Sequence, residues 1–299
     1  MVAVALHVQL LLLLAMVCSQ LSGGVFDPRP DPKRCVGSAV ARKNIKKTLM
    51  PCLVDAKWSP AGVNQTERGN SMSDYVISAP QPAFVPVAGG GRFPVRRIYC
   101  VGRNYAAHAR EMGSDPTREP PFFFMKPADA VVINDADTPY PSRTANLHHE
   151  IELVVAIGKG GVDIARADAL GHVFGYAAGL DLTRRDLQDE AKATRRPWDL
   201  SKGFDASAPI GAIVPATTIG HPSAGAITFK VDGALRQSGD LADQIWAVDE
   251  IIAVLSGLVA LVPGDLIMTG TPEGVGALQR GETCVGEIAG VGTVRTRIC

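Results

Sequence analysis

The chain has 299 residues, 46% of them hydrophobic, enough to bury one large core or two modest ones and too many for a disordered polymer. Its 30 basic and 30 acidic residues cancel, so no overall field draws it to nucleic acid or an anionic membrane, and a small molecule is the expected partner. The six cysteines show no CxxC spacing, which argues against a disulfide framework or a zinc site.

Residues 4–18, VALHVQLLLLLAMVC, form an apolar run of signal-peptide length followed by small and polar residues. The run is shorter than the roughly 20 apolar residues that cross a bilayer, so no stable membrane span is expected. No Lys or Arg precedes it, as a signal peptide would require. From Val25 to Ser71 there are Pro, Lys and Arg clusters without sustained periodicity, and Met72 then opens MSDYVISAP, a natural cytosolic start. Residues 1–24 are therefore a signal-like segment or a spurious extension, and residues 25–83 a linker with a short arm. Residues 84–299 are expected to form the main folded domain. A cytoplasmic location is expected if the upstream segment is spurious, and a secretory or organellar one if it is a true signal.

Beyond Phe84, apolar runs of strand length recur between turn signals: RRIYCVG, ADAVVIN, IELVVAIG, GAITFKV, DLIMTG and GTVRTRI. Helical patterns are fewer, chiefly YAAHAREMG, ARADALGHVF, DLTRRDLQDEAKA and WAVDEIIAVLSGLVAL. The mixture predicts a β-rich α/β fold in one domain.

In chain order, GRNYAAHAREMG puts His108 and Glu111 at i and i+3 on one helix face, either a base with its orienting partner or a surface ion pair. Lys126 in FFFMKP sits in an apolar run, where it meets a substrate carboxylate or snorkels to solvent. Glu150 and Glu152, in HHEIE, point to one face of a strand. Paired carboxylates at the mouth of an apolar strand need a cation or a shared proton, unless they form a solvated edge. Asp181 follows the small-residue strand YAAGL, as a third ligand or as the N-cap of the next helix. Three hard oxygen ligands suit Mg²⁺, Mn²⁺ or a looser Ca²⁺ site far better than zinc. Lys202 is another polar interruption among apolar residues. In MTGTPEGVG, Gly270 and its neighbours form either an anion-binding loop or a plain turn.

Taken in order, YCVGRNYAAHAREMG, FFFMKP, NLHHEIEL, GLDLTRRDLQDE, PWDLSKGFDASAPIG and GDLIMTGTPEGVG resemble the fumarylacetoacetate hydrolase family from about Ile98 to the end. The resemblance implies a fumarylacetoacetase C-terminal-domain-like fold, a homodimer, and Mg²⁺ or Mn²⁺ held by Glu150, Glu152 and Asp181. It implies that His108 and Glu111 form a water-activating dyad on a lid, and that Lys202 lies near the metal. Arg185, Gln188 and Thr271 would bind substrate, and Lys126 matches the family's FxKP lysine. The wording is similar to fumarylpyruvate hydrolases and to the acylpyruvase and oxaloacetate decarboxylase branch, so hydrolysis of a 2,4-dioxo acid is expected and decarboxylation is the alternative. A secreted, non-catalytic binding protein would have lost some of these positions, yet all are filled.

Overall fold

The computed structural model describes residues 76–113 and 119–299. The chain divides into two units, Met1–Asp74 and Tyr75–Cys299. The signal-like segment and nearly all of the linker lie outside the described residues. Among those described, no helix is long and apolar enough to cross a membrane.

Four stretches alternate short strands with short helices. The first holds β1 (Phe84–Pro86), β2 (Arg92–Pro94), β3 (Arg97–Gly102), α1 (Ala106–Glu111), β4 (Phe122–Lys126) and β5 (Val131–Val132). Next come β6 (Leu147–His149), β7 (Ile151–Ile157), α2 (Arg166–Ala169), β8 (Val173–Leu180), β9 (Thr183–Arg184), α3 (Arg185–Thr194) and α4 (Asp199–Lys202). Then follow β10 (Ala208–Pro209), β11 (Val214–Pro215), α5 (Ala216–Ile219), β12 (Ala226–Val231) and β13 (Ala234–Asp240). Last are α6 (Val248–Leu258), β14 (Asp265–Met268), β15 (Gly276–Ala277), β16 (Thr283–Ile288) and β17 (Gly292–Arg297).

Two sheets dominate. The larger has the order β11-β8-β7-β14-β3-β4, antiparallel except where β14 runs parallel to β3, and the smaller is an antiparallel β13-β12-β16-β17. Strand β7 is buried at every residue because both its faces are covered. Its odd positions Ile151, Leu153, Val155 and Ile157 pack with Phe229, Ile227 and Val294 of the smaller sheet. Val154 and Ala156 face the other way, towards Ile98, Cys100, Met268 and the β1–β2 hairpin through Val85 and Phe93. On that second face the partner strand is thin. Gly179 lies opposite Glu152, and a Cβ there would fall 2.6 Å from a Val154 methyl. The small residues of YAAGL thus allow two strands and a layer beyond them to close up beside the carboxylates.

Three expected elements come out shorter. Only Val131 and Val132 of ADAVVIN form a strand, after a tight turn at Ala128–Ala130. The helix expected over ARADALGHVF ends at Ala169, and Val173 and Phe174 instead open β8, where a β-branched and an aromatic residue pair favourably. Helix α3 begins at Arg185, and Arg184 occupies its N-cap without a side-chain bond, so Asp181 is not the cap of that helix. Residues Thr183 and Arg184 pair with β6 and separate Asp181 from α3. Strand β13, ALRQSGD, was not anticipated, because as a sheet edge it shows mostly polar residues to solvent and fully buries only Gln237.

Candidate active site

The carboxylate cluster is a product of strand register. Ile151 pairs with Leu180 at the end of the β7–β8 ladder, and the Asp181 N–H donates to the Glu150 carbonyl at 2.9 Å, extending the pairing by one residue. Antiparallel neighbours share a face, and so do alternate residues, which turns Glu150, Glu152 and Asp181 to the same side. All three are buried, with a carboxylate oxygen of each within 4.8 Å of the others. A solvated acidic edge is therefore not what the fold builds.

Like charges this close, out of water, require compensation. Lys202 Nζ lies 2.7 Å from both Glu150 Oε2 and Asp181 Oδ2, while Arg185 is hydrogen-bonded to Glu150 Oε1 and to Gln188. Burial alone would push the Glu150 carboxyl up, but Lys202 and Arg185 outweigh it and hold this acid below the usual carboxylate range. Glu152 goes the other way. Burial, then the neighbouring Asp181 and Glu150, raise it well above the usual range, and its hydrogen bond from the Gly270 N–H, at 2.7 Å, only partly offsets them. Burial lowers the Lys202 ammonium, yet Asp181 and Glu150 raise it further than burial lowers it.

Lys126 stands behind Asp181. Its fully buried ammonium meets Asp181 Oδ1 at 2.8 Å and donates to the carbonyls of Leu182 and Lys202, so its N–H groups are directed at protein oxygens. The contact with Asp181 Oδ1 satisfies distance but not hydrogen-bond angle, leaving that buried oxygen without a hydrogen-bond donor. An acceptor oxygen of this kind, beside an acid raised by its neighbours, fits a hard divalent cation among the three carboxylates.

Helix α1 brings His108 over the same cleft. His108 Nδ1 is 3.1 Å from Glu111 Oε2, and both Glu111 oxygens accept from the Gly274 N–H, at 3.1 and 3.2 Å. The pair is thus tied to the TPEG loop rather than loose in solvent. Gly274 has φ +90°, and a Cβ there would fall 2.3 Å from the Arg236 carbonyl, so only glycine suits the turn that offers this N–H.

A cleft of about 400 Å³, open to solvent, joins these groups. His108, Glu150, Glu152, Arg185, Gln188 and Lys202 line it, together with Thr271. Gly270 does not. Its N–H is turned to Glu152, and a Cβ there would fall 2.7 Å from that of Asn104.

Several wall residues were not singled out in the sequence. Arg103, Phe124, Lys192 and Trp198 line the cleft. Asn104, fully buried, donates to the Trp246 and Thr269 carbonyls and accepts from the Trp246 N–H, joining the base of α1 to the Gly270 loop. A buried Asn between Arg and Tyr carries no periodic signal. Gln237 lies 34 to 88 residues from its partners, and nothing local marks it.

Known proteins resemble this chain in sequence and fold. Residues 97–299 match the family described as fumarylacetoacetate (FAA) hydrolase C-terminal. The mitochondrial oxaloacetate tautomerase FAHD1 of Rattus norvegicus is 42% identical over 203 residues, 68% of this chain and 91% of the relative. A crystal structure of fumarylpyruvate hydrolase from Pseudomonas aeruginosa, in complex with Mn²⁺ and pyruvate, is 54% identical. It superimposes with a TM-score of 0.73 over 75% of this chain and 99% of that one. A putative fumarylpyruvate hydrolase from Burkholderia cenocepacia is 56% identical, with a TM-score of 0.71 over 76% and 98% of the two chains. The fold, the matched domain and these identities agree: the chain belongs to the fumarylacetoacetate hydrolase family.

Proposed function

We propose that this protein is a divalent-metal-dependent hydrolase that cleaves a carbon–carbon bond in a 2,4-dioxo acid, converting fumarylpyruvate and water to fumarate and pyruvate. The observation that carries the reading is that His108, held by Glu111, lines one cleft with Glu150 and Glu152, whose carboxylates cluster with that of Asp181. The solved relative at 54% identity, which holds Mn²⁺ and pyruvate, supports both the metal and the product.

Glu150, Glu152 and Asp181 would hold Mg²⁺ or Mn²⁺. When bound, the ion would polarise the 2-oxo group and stabilise negative charge developing there. His108, its Nδ1 side held by Glu111, takes a proton from water on its other ring nitrogen. The water oxygen attacks C4 and forms a tetrahedral oxyanion. Its collapse breaks the C3–C4 bond, the electron pair leaves on C3, and protonation there gives pyruvate, while the other fragment is fumarate. Arg185, Gln188 and Thr271 orient the oxo acid, and Lys202 balances the carboxylates. Lys126 acts on substrate only through Asp181 and the Lys202 backbone, and Gly270 only through Glu152.

The cleft also speaks for a dianionic substrate. Arg103 and Lys192, the latter 3.6 Å from the mostly exposed Asp189, add positive charge on its wall besides the cations paired with Glu150 and Asp181. The distal carboxylate of a fumaryl arm would use that charge, and an acetyl arm would not. Arg103→Met combined with Lys192→Met is therefore expected to lower kcat/KM for fumarylpyruvate about tenfold, the scale of one charge-assisted hydrogen bond. Activity on acetylpyruvate should change little. An equal loss on both substrates would detach these cations from specificity.

A second reading is favoured by the 42% identity with an oxaloacetate tautomerase, since enolising or decarboxylating oxaloacetate needs the same electron sink. One panel separates the two. Fumarylpyruvate, acetylpyruvate and oxaloacetate are each incubated with the protein, with Mn²⁺ and with excess chelator. Release of fumarate that chelation abolishes supports the hydrolase, while turnover of oxaloacetate alone would replace it. Turnover indifferent to chelation would remove the metal from the reaction.

A further inference from the structure

Gln237 of β13 touches neither the carboxylates nor the water-activating pair, yet it is 1% exposed and makes four hydrogen bonds beside the cleft. Its Oε1 accepts from the Ile151 N–H at 3.1 Å and lies 2.9 Å from His149 Nδ1. Its Nε2 donates to Thr271 Oγ1 and to the Pro272 carbonyl, both at 2.8 Å. Side-chain amides are commonly ambiguous by a half-turn, but this one is not. A backbone N–H can only donate and a carbonyl can only accept, so Ile151 and Pro272 fix which end of the amide is oxygen.

Two consequences follow from that orientation. His149, stacked on Phe229 at 4.3 Å, must carry its proton on Nδ1 in order to donate to Oε1. Thr271 Oγ1 must receive an N–H from Gln237, and no other hydrogen bond of its own is found among the described residues. Its own proton is therefore free to point into the cleft that Thr271 lines. We infer that Gln237 is a positioning residue that presents the Thr271 hydroxyl to the substrate as a hydrogen-bond donor, selecting ligands with a carboxylate or carbonyl oxygen at that place. The amide does so from the second sheet. It joins β13 to the start of β7, between Glu150 and Glu152, and to the TPEG loop, so one side chain sets the spacing between ligand-facing elements from both sheets. The inference rests on the functional reading above for the identity of the substrate oxygen, but not for the orientation of the amide.

The test has two arms. In the ligand-free wild-type protein, nitrogen-15 NMR of the histidines is expected to show His149 protonated on Nδ1, and protonation on Nε2 would overturn the amide orientation. For the second arm, Gln237→Glu replaces the amide donor by an oxygen that draws the Thr271 proton away from the cleft. With Mn²⁺ present, calorimetry is expected to give pyruvate affinity weaker by about tenfold, the scale of one hydrogen bond to a charged group. Thr271→Val should weaken it similarly. Adding Gln237→Glu to Thr271→Val should then cost little more, since the residue acts through that hydroxyl. Additive losses in the double variant would mean that Gln237 merely supports the fold and would overturn the proposal. A wild-type protein that binds no pyruvate would instead overturn the functional reading and the donor role together, and the tautomer arm would then still judge the amide alone.

Discussion

Replacing His108 with alanine is expected to lower kcat for fumarylpyruvate by about 10²- to 10⁴-fold, the range a positioned general base contributes. Mn²⁺ affinity should be unchanged, because the hydrogen bond of this imidazole goes to Glu111 and not to the three carboxylates. The companion variant is Glu111→Gln. Its amide oxygen can still accept from the His108 ring, so it should lose less than Glu111→Leu, which abandons both the ring and the Gly274 N–H. Steady-state kinetics with a parallel Mn²⁺ titration checks the pattern. Near-normal turnover by His108→Ala would place proton abstraction on another group.

The second large effect concerns stability. Lys202→Met removes an ammonium that lies 2.7 Å from two buried carboxylates, leaving Glu150 and Asp181 crowded against Glu152 with less compensation. Breaking one side of a buried ion pair costs about 3–5 kcal/mol. For a domain of this size that is a fall in Tm on the order of 10 °C, measured in chelator. Mn²⁺ should recover more of the Tm in the variant than in the wild type, because the ion supplies the positive charge the substitution took away. A Tm indifferent to the substitution would mean the carboxylates are already neutral, with protons in place of the pairing.

The pairing of a buried cation is not visible in local sequence. FFFMKP shows only that Lys126 interrupts an apolar strand, and both a ligand-facing and a snorkelling lysine fit that pattern. The fold chooses a third arrangement, with the ammonium buried against Asp181 and two carbonyls, because α4 brings Lys202 and its carbonyl alongside β4. Asp181 likewise read as ligand or cap. The choice was made by Thr183 and Arg184 pairing with β6, a contact between segments about 36 residues apart that delays α3 by one short strand.

By itself, the sequence determined the local geometry of this protein. Period-two alternation put Glu150 and Glu152 on one face, i,i+3 spacing joined His108 to Glu111, and the ordered motifs identified the family. These are properties of a few consecutive residues, and strand and helix periods suffice to read them. The tertiary structure alone decided what those faces look at. It turned Asp181 towards the glutamates through the β7–β8 register and anchored Glu111 on the Gly274 N–H. It also set Gln237 against Thr271, from a mostly exposed edge strand of the other sheet. The physical reason is that a buried charge or amide must find its partner wherever the chain passes, and that partner is chosen by packing between distant segments rather than by neighbours in the sequence.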